Sequence, residues 1–187
     1  MNTLEEVLLD ATEKMKNTLS VLKDQFAGLR TGKASPALVD GVQVQYYGAT
    51  TRLRDLANIS TPEPRLIVIS PYDPTALPDI EKAILAANLG VTPRNDGRVV
   101  RVPIPELNEE RRKEIVKVAK RQAEEARIAM RNVRRDANEI IKGLQKDAKI
   151  SEDERSRGLE EIQKITDAHI ARIDSDLKTK EAEVMVV

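Results

Sequence analysis

The 187-residue chain carries 31 basic and 31 acidic residues, is 40% hydrophobic, and has four aromatic residues (Phe26, Tyr46, Tyr47 and Tyr72) but no tryptophan or cysteine. Without cysteine there is no disulfide framework, thiolate metal site or thiol nucleophile, and no apolar run is long enough to span a bilayer. With 33% charged residues and so few aromatics, the composition favours long amphipathic helices with aliphatic seams over a sandwich or barrel.

The opening "MNTLEEVLLDATEKMK" is acidic where a targeting segment would be basic, so the expectation is a cytoplasmic protein with no membrane partner. From Leu4 to Leu29, apolar residues recur at Leu4, Leu8, Ala11, Met15, Leu19, Leu22, Phe26 and Leu29, steps of three and four that lay one stripe along a helix. Thr3 followed by Glu6 fits a capping box at its start. In "RTGKASPALVDGVQVQYYGATT", Gly32, Pro36, Gly41 and Gly48 break the helical period, and Val42, Val44 and Tyr46 alternate with Gln43, Gln45 and Tyr47, as in a strand. "RLIVIS" predicts a second strand. "TALPDIEKAILAANLG" predicts a short helix with Ile80, Ala83, Ile84 and Ala87 inward and Gly90 at its C-terminal cap. "RNDGRVVRVPIP" supplies a turn signal and a strand running into Pro103 and Pro105.

From Asn108 the helical period returns. Val116, Ala119, Ala123, Ala126, Met130, Val133, Ala137, Ile140 and Leu144 form a heptad seam. "KDAKIS" is a short turn, Ser151 and Glu154 make a second capping box, and Leu159, Ile162, Thr166, His169, Ile173 and Leu177 mark a third long helix. None of these helices can bury its stripe alone. The predicted fold is therefore α+β: a long three-helix bundle from residues 1–30 and 106–187, with residues 31–105 inserted as a small β/α/β domain. The two chain crossings, at Gly32–Pro36 and Pro103–Pro105, are expected to act as a hinge.

The zero net charge is unevenly spread: thirteen basic against nine acidic residues over 106–149, and six against ten over 150–187. At about 100° per residue, Lys113, Lys117, Lys120, Arg127, Arg131, Arg134 and Lys142 form one ridge beside the seam, with Glu110, Glu114, Glu125, Asp136 and Glu139 toward the far side. Such a ridge, unrelieved by acids, suits a phosphate backbone, because the planar guanidinium fork binds phosphate bidentately. The competing reading is that the acidic third helix pairs with it. Scarce aromatics argue against base stacking.

Chemistry for catalysis is missing. His169 is the only histidine and reads as packed rather than catalytic or metal-ligating. Adjacent carboxylates such as Glu124–Glu125 face different directions on a helix. "RTGKASP" lacks the first glycine and preceding strand of a phosphate-cradling loop. No enzyme, cofactor or metal is expected.

Three motifs, "LRTGKASPALVDGVQVQYYG", "AANLGVTPRNDGRVVRVPIPELNEERRKE" and "ARIAMRNVRRDANEIIKGLQKDAKISEDE", in order along the chain, resemble the bacterial ribosome recycling factor family. The resemblance implies an L-shaped monomer of bundle and inserted domain with flexible connections. It implies a translation factor that binds the post-termination ribosome and, with elongation factor G and GTP hydrolysis by that partner, separates the subunits. It further implies that the bundle contacts 23S rRNA of the large subunit through arginines of the second long helix. The match carries this role onto Arg131 and Arg134 in "RNVRRDAN" and onto Arg112 in "EERRKE", while Arg127 and Lys120 join them by lying on the same ridge. Arg135, turned away, is expected to pair within the protein. The hinge falls on Arg30, Thr31, Gly32, Lys33, Pro36, Pro103 and Pro105; Lys33 stands where arginine is common in the family's motif, keeping the charge without the fork. A bundle that merely docks another helix, an adaptor without ribosome binding, is the alternative.

Overall fold

The computed structural model describes residues 1–185, and the chain divides into two compact units. One contains Met1–Phe26 and the chain from Val116 onward; the other is Ala27–Ile115.

The first unit is a bundle of three helices: α1 (Leu4–Ala27), α4 (Glu109–Lys146, whose first turns belong to the other unit) and α5 (Glu152–Met185). Val7 and Ala11 of α1, Ala137, Ile141 and Leu144 of α4, and Ile162 of α5 form one buried cluster that ties all three together. The stripes differ from the sequence reading in azimuth. On α1, Val7 is buried while Leu8 and Leu19 are only partly so, and the helix stops at Ala27 rather than Leu29. On α4, Ile141 is wholly buried and Ile140 half-buried, because the seam drifts about the helix over its length.

Local chemistry fixes the helix ends. Ser151 Oγ accepts from Glu154 N–H at 3.1 Å and the Glu154 carboxylate accepts from Ser151 N–H at 2.7 Å, a complete reciprocal box. At α1, Thr3 Oγ1 accepts from Glu6 N–H, but Glu6 reaches past Thr3 to the Asn2 N–H at 2.7 Å. After Lys146 the chain reverses through Ala148 (φ 54°), and the Lys149 N–H returns to the Leu144 carbonyl. Gly158 lies where α5 meets α1 and α4: a Cβ there would stand 2.5 Å from Leu4 Cδ1 and 3.4 Å from Ile141 Cδ1.

The second unit is built on antiparallel strands. β1 (Gln43–Tyr46) and β2 (Ala49–Arg52) form a hairpin closed by Tyr47 (φ 47°) and Gly48 (φ 77°), both left-handed as a tight two-residue turn demands. A single helical turn, α2 (Leu53–Leu56), leads into a four-stranded sheet of order β3-β4-β6-β5: β3 (Ala57–Glu63), β4 (Leu66–Pro71), β5 (Arg94–Asn95) and β6 (Val100–Pro103). Ile67 faces Val102 and Ile69 faces Val100 across β4 and β6, all four fully buried. They pack with Ile80 and Ile84 of α3 (Leu77–Ala86), and with Val44 and Leu53, in one core. β2, β3 and β5 add to the three strands expected from sequence. β3 is an edge strand, which tolerates Pro62. The end of α3 also departs from expectation: Ala87 caps it, exposed, and Asn88 (φ 52°) takes the first left-handed step ahead of Gly90.

Candidate functional site

The basic residues of α4 are carried by a helix whose buried side alternates stretches of alanine with larger residues: Ala119, Ala123 and Ala126 before Met130, then Ala137 before Ile141 and Leu144. Acidic side chains of α5 reach the flanks of α4. The ridge is accordingly not free of acids. Lys120 Nζ stands 3.9 Å from Glu181 of α5, and Arg127 donates through Nε (2.8 Å) and Nη2 (2.6 Å) to one oxygen of Asp174. Arg127 Nη1 also donates to Glu124 at 3.0 Å, and Arg131 Nη1 reaches the other oxygen of the same carboxylate at 3.4 Å. Lys113 pairs with Glu109 and Lys142 with Glu139, both within α4. On the wheel Glu139 falls toward the far side, but the long lysine spans the three-residue step to it.

The geometry divides the five candidates. Arg127 is an internal tie, its side chain only 20% exposed. Desolvation, the largest single influence, pushes its pKa down, but the hydrogen bonds to Asp174 and Glu124 together outweigh it, and the net shift is upward. Glu124 is held below the ordinary carboxylate value by Arg127 first and Arg131 next. Arg131 is exposed and only loosely held. Arg134 is half-buried and makes no ion pair among the described residues. Lys120 is exposed on a long contact, and Arg112, at the beginning of α4, is half-buried with a buried Nε that has no partner there. Arg135 lies 3.6 Å from its neighbour Asp136, both exposed, the local pairing expected of it.

The hinge residues converge within the second unit. Arg30 is half-buried, donates from Nη2 to the Pro105 carbonyl at 3.3 Å, and lies over Gly90, where a Cβ would come within 3.1 Å of Nη1. Burial, and then the nearby Arg111, lowers its pKa. Gly32 is left-handed (φ 78°) beside Leu107, Thr31 is half-buried and Lys33 exposed. Pro36 opens a short 3-10 turn capped by Ser35. Both crossing segments are pinned to one turn between β3 and β4: the Ala34 N–H donates to the Pro64 carbonyl and the Ile104 N–H to the Arg65 carbonyl, while Arg65 pairs with Glu106 at 2.7 Å. Pro103 closes β6 just before Ile104.

The sequence does not show the contacts made by Asp174, Glu124, Arg65 and Glu106, or the approach of Arg30 to Gly90. Glu124 was legible as an acid three residues before Arg127; nothing local pointed to Asp174, which is 47 residues away from its partner. His169 is half-buried, with Nδ1–H donating to the Ile165 carbonyl of its own helix at 2.7 Å. Among the described residues no cluster of three or more His, Cys, Asp or Glu is arranged to hold a metal, and no helix is long and apolar enough to cross a membrane.

A family model described as ribosome recycling factor matches residues 22–185. The chain is 51% identical over 181 residues to the ribosome-recycling factor of Natranaerobius thermophilus, covering 97% of this chain and 98% of that protein. It is 53% identical over 184 residues to that of Carboxydothermus hydrogenoformans, covering 98% and 100%, and 52% identical over 182 residues to that of Bacillus subtilis, covering 97% and 98%. Among solved structures it is similar to a solution structure of the ribosome recycling factor, with TM-score 0.81, 44% identity and 98% of each chain covered. It is also similar to T. thermophilus ribosome recycling factor bound with E. coli elongation factor G to the E. coli post-termination complex, with TM-score 0.69, 44% identity, and 98% of this chain and 100% of that one covered.

Proposed function

Because the chain belongs to the ribosome recycling factor family, we propose that it binds the post-termination ribosome through the basic flank of α4 and, with elongation factor G and GTP hydrolysis by that partner, splits the subunits. The large subunit's 23S rRNA is the anchoring partner in this reading. The single observation that carries it is Arg134: a half-buried arginine with no carboxylate within ion-pair distance among the described residues. A guanidinium with no internal ion pair has no such bond to break before it meets a phosphate, which favours the contact.

Arg131 is the second contact, Arg112 and Lys120 contribute charge along the same helix, and Arg127 serves mainly by holding α4 against α5. The crossing residues Arg30, Thr31, Gly32, Lys33, Pro36, Pro103 and Pro105 are read as the hinge between the anchored bundle and a small unit, residues 31–105, that receives the push from elongation factor G. The convergence of Arg30, Gly90 and Pro105 supports that reading, since both crossings meet at one clasp.

Cosedimentation with large ribosomal subunits tests the anchor. Arg134→Ala is expected to lower affinity roughly tenfold or more, the worth of a charge-assisted hydrogen bond, with an unchanged helical circular dichroism spectrum. Wild-type binding is expected to weaken steeply with salt. Unchanged binding by Arg134→Ala, or salt-insensitive binding by the wild type, would refute the anchor.

A further inference from the structure

An RNA-facing helix has reason to keep carboxylates off its basic side, since each repels phosphate. α4 instead carries Glu124 one turn before Arg127 and two turns before Arg131. Long side chains on a helix lean toward its N-terminus, so both arginines fold back onto Glu124, and each of its oxygens accepts from one of them. The two contacts are unequal. Arg127 is held at 3.0 Å and is itself fixed by Asp174, whereas Arg131, 47% exposed, is reached only at 3.4 Å.

Resting on the function proposed above, we infer that Glu124 is a tethered competitor for phosphate: it occupies the guanidinium of Arg131 in the free protein, yields it to RNA, and recaptures it when the phosphate loosens. Arg127 and Asp174 form the fixed side of the device and Arg131 the released side. The carboxylate remains ionised at neutral pH, held low by the same two arginines, so it competes throughout the working range. A factor that must leave its partner after each round gains from such a group. A competitor fixed a few ångströms from the contact acts at high effective concentration and shortens the bound lifetime without any new partner. Glu124 is thus a positioning residue for the RNA surface, acting through Arg131.

The test is a salt titration of binding to purified large ribosomal subunits, with the dissociation rate measured by dilution into excess unlabelled protein. Glu124→Gln keeps the shape and removes the charge. It is expected to bind about two- to fivefold more tightly, the worth of an exposed ion pair. It should also dissociate more slowly and show a salt slope larger by about one phosphate contact. Glu125→Gln, the adjacent exposed carboxylate that makes no ion pair with these arginines, changes net charge equally and is expected to leave the slope as in the wild type. Unchanged or weaker binding by Glu124→Gln would overturn the inference, because Glu124 would then orient Arg131 rather than compete for it. Equal tightening by Glu125→Gln would overturn it in favour of net charge. Arg134→Ala measured alongside separates the two levels: weakened Arg134→Ala with wild-type Glu124→Gln removes the competitor and leaves the anchor standing, whereas unweakened Arg134→Ala removes the anchor itself.

Discussion

The tie between Arg127 and Asp174 is the strongest polar link between α4 and α5 among the described residues, and its removal gives a number that can be worked in advance. Two guanidinium N–H groups, at 2.6 and 2.8 Å, converge on one carboxylate oxygen, and Glu124 holds the third nitrogen at 3.0 Å. A fully exposed pair contributes up to about 1 kcal/mol, and breaking a fully buried one costs roughly 3–5 kcal/mol. Here the arginine side chain is 20% exposed and the aspartate 56%, so the pair falls between these limits and nearer the lower. A coupling of about 1–2 kcal/mol is expected, with a melting temperature lower by about 2–4 °C per kcal/mol for each single variant. The assay is urea denaturation followed by helical circular dichroism for wild type, Arg127→Ala, Asp174→Ala and the double variant. The cycle matters because Arg127→Ala also removes a packed aliphatic stem, which cancels in the coupling. The coupling should shrink in high salt in proportion to the exposed part of the pair. A coupling below about 0.5 kcal/mol, within ordinary additivity, would refute the tie and return Arg127 to the free basic surface.

Tyr46 donates its phenol to Asp73 at 2.6 Å, and this bond is the largest cause both of the tyrosine's rise to about 12 and of the aspartate's depression. The aspartate therefore adds stability above its ordinary pKa that is lost as pH falls through its lowered folded value, and the tyrosine adds stability that is lost as pH rises toward 12. Tyr46→Phe should move the Asp73 carboxyl midpoint upward, followed by NMR; an unmoved midpoint would deny the bond. Two helical glycines should respond with opposite signs in a thermal melt: Gly158→Val, forced against Leu4 and Ile141, is expected to lose about 1–3 kcal/mol, while Gly143→Ala, with nothing within 4 Å of the new Cβ, is expected to gain up to about 1 kcal/mol. Matching signs would contradict the packing at Gly158.

The sequence made the long helices legible because their period runs through many turns, and because caps such as Ser151 and Glu154 are local chemistry that the fold had only to realise. It hid β2, "ATTR", which has no apolar alternation, and β3, "ANISTPE", whose alternation is confined to Ala57 and Ile59 before an exposed end; the pairing of both is set by neighbours. Asn88 escaped because asparagine and glycine both enter the left-handed region, and only the path of the chain decides which goes first. At the candidate site, the wheel located the arginines on α4 but not their partners. Whether Asp174 reaches Arg127 depends on the stagger and azimuth of two helices, which is a property of packing rather than of either helix's sequence. Glu124 is legible on the same wheel, where it falls among the bases of the ridge.

The order of the elements has a consequence for synthesis. α1 leaves the exit tunnel first, yet the residues that cover its stripe, such as Ala137, Ile141 and Ile162, follow more than a hundred residues later. The small unit, whose strands pair mostly with near neighbours in sequence, can close in the meantime. The hairpin of α4 and α5 is local too, reversing within the few residues between Lys146 and Glu152. The apolar face of α1 therefore has no bundle partner until α4 and α5 are made, and its docking onto them closes a loop of more than a hundred residues. Destabilising substitutions on that face, at Val7 or Met15 for instance, act on the last step of folding, so they should speed unfolding far more than they slow folding.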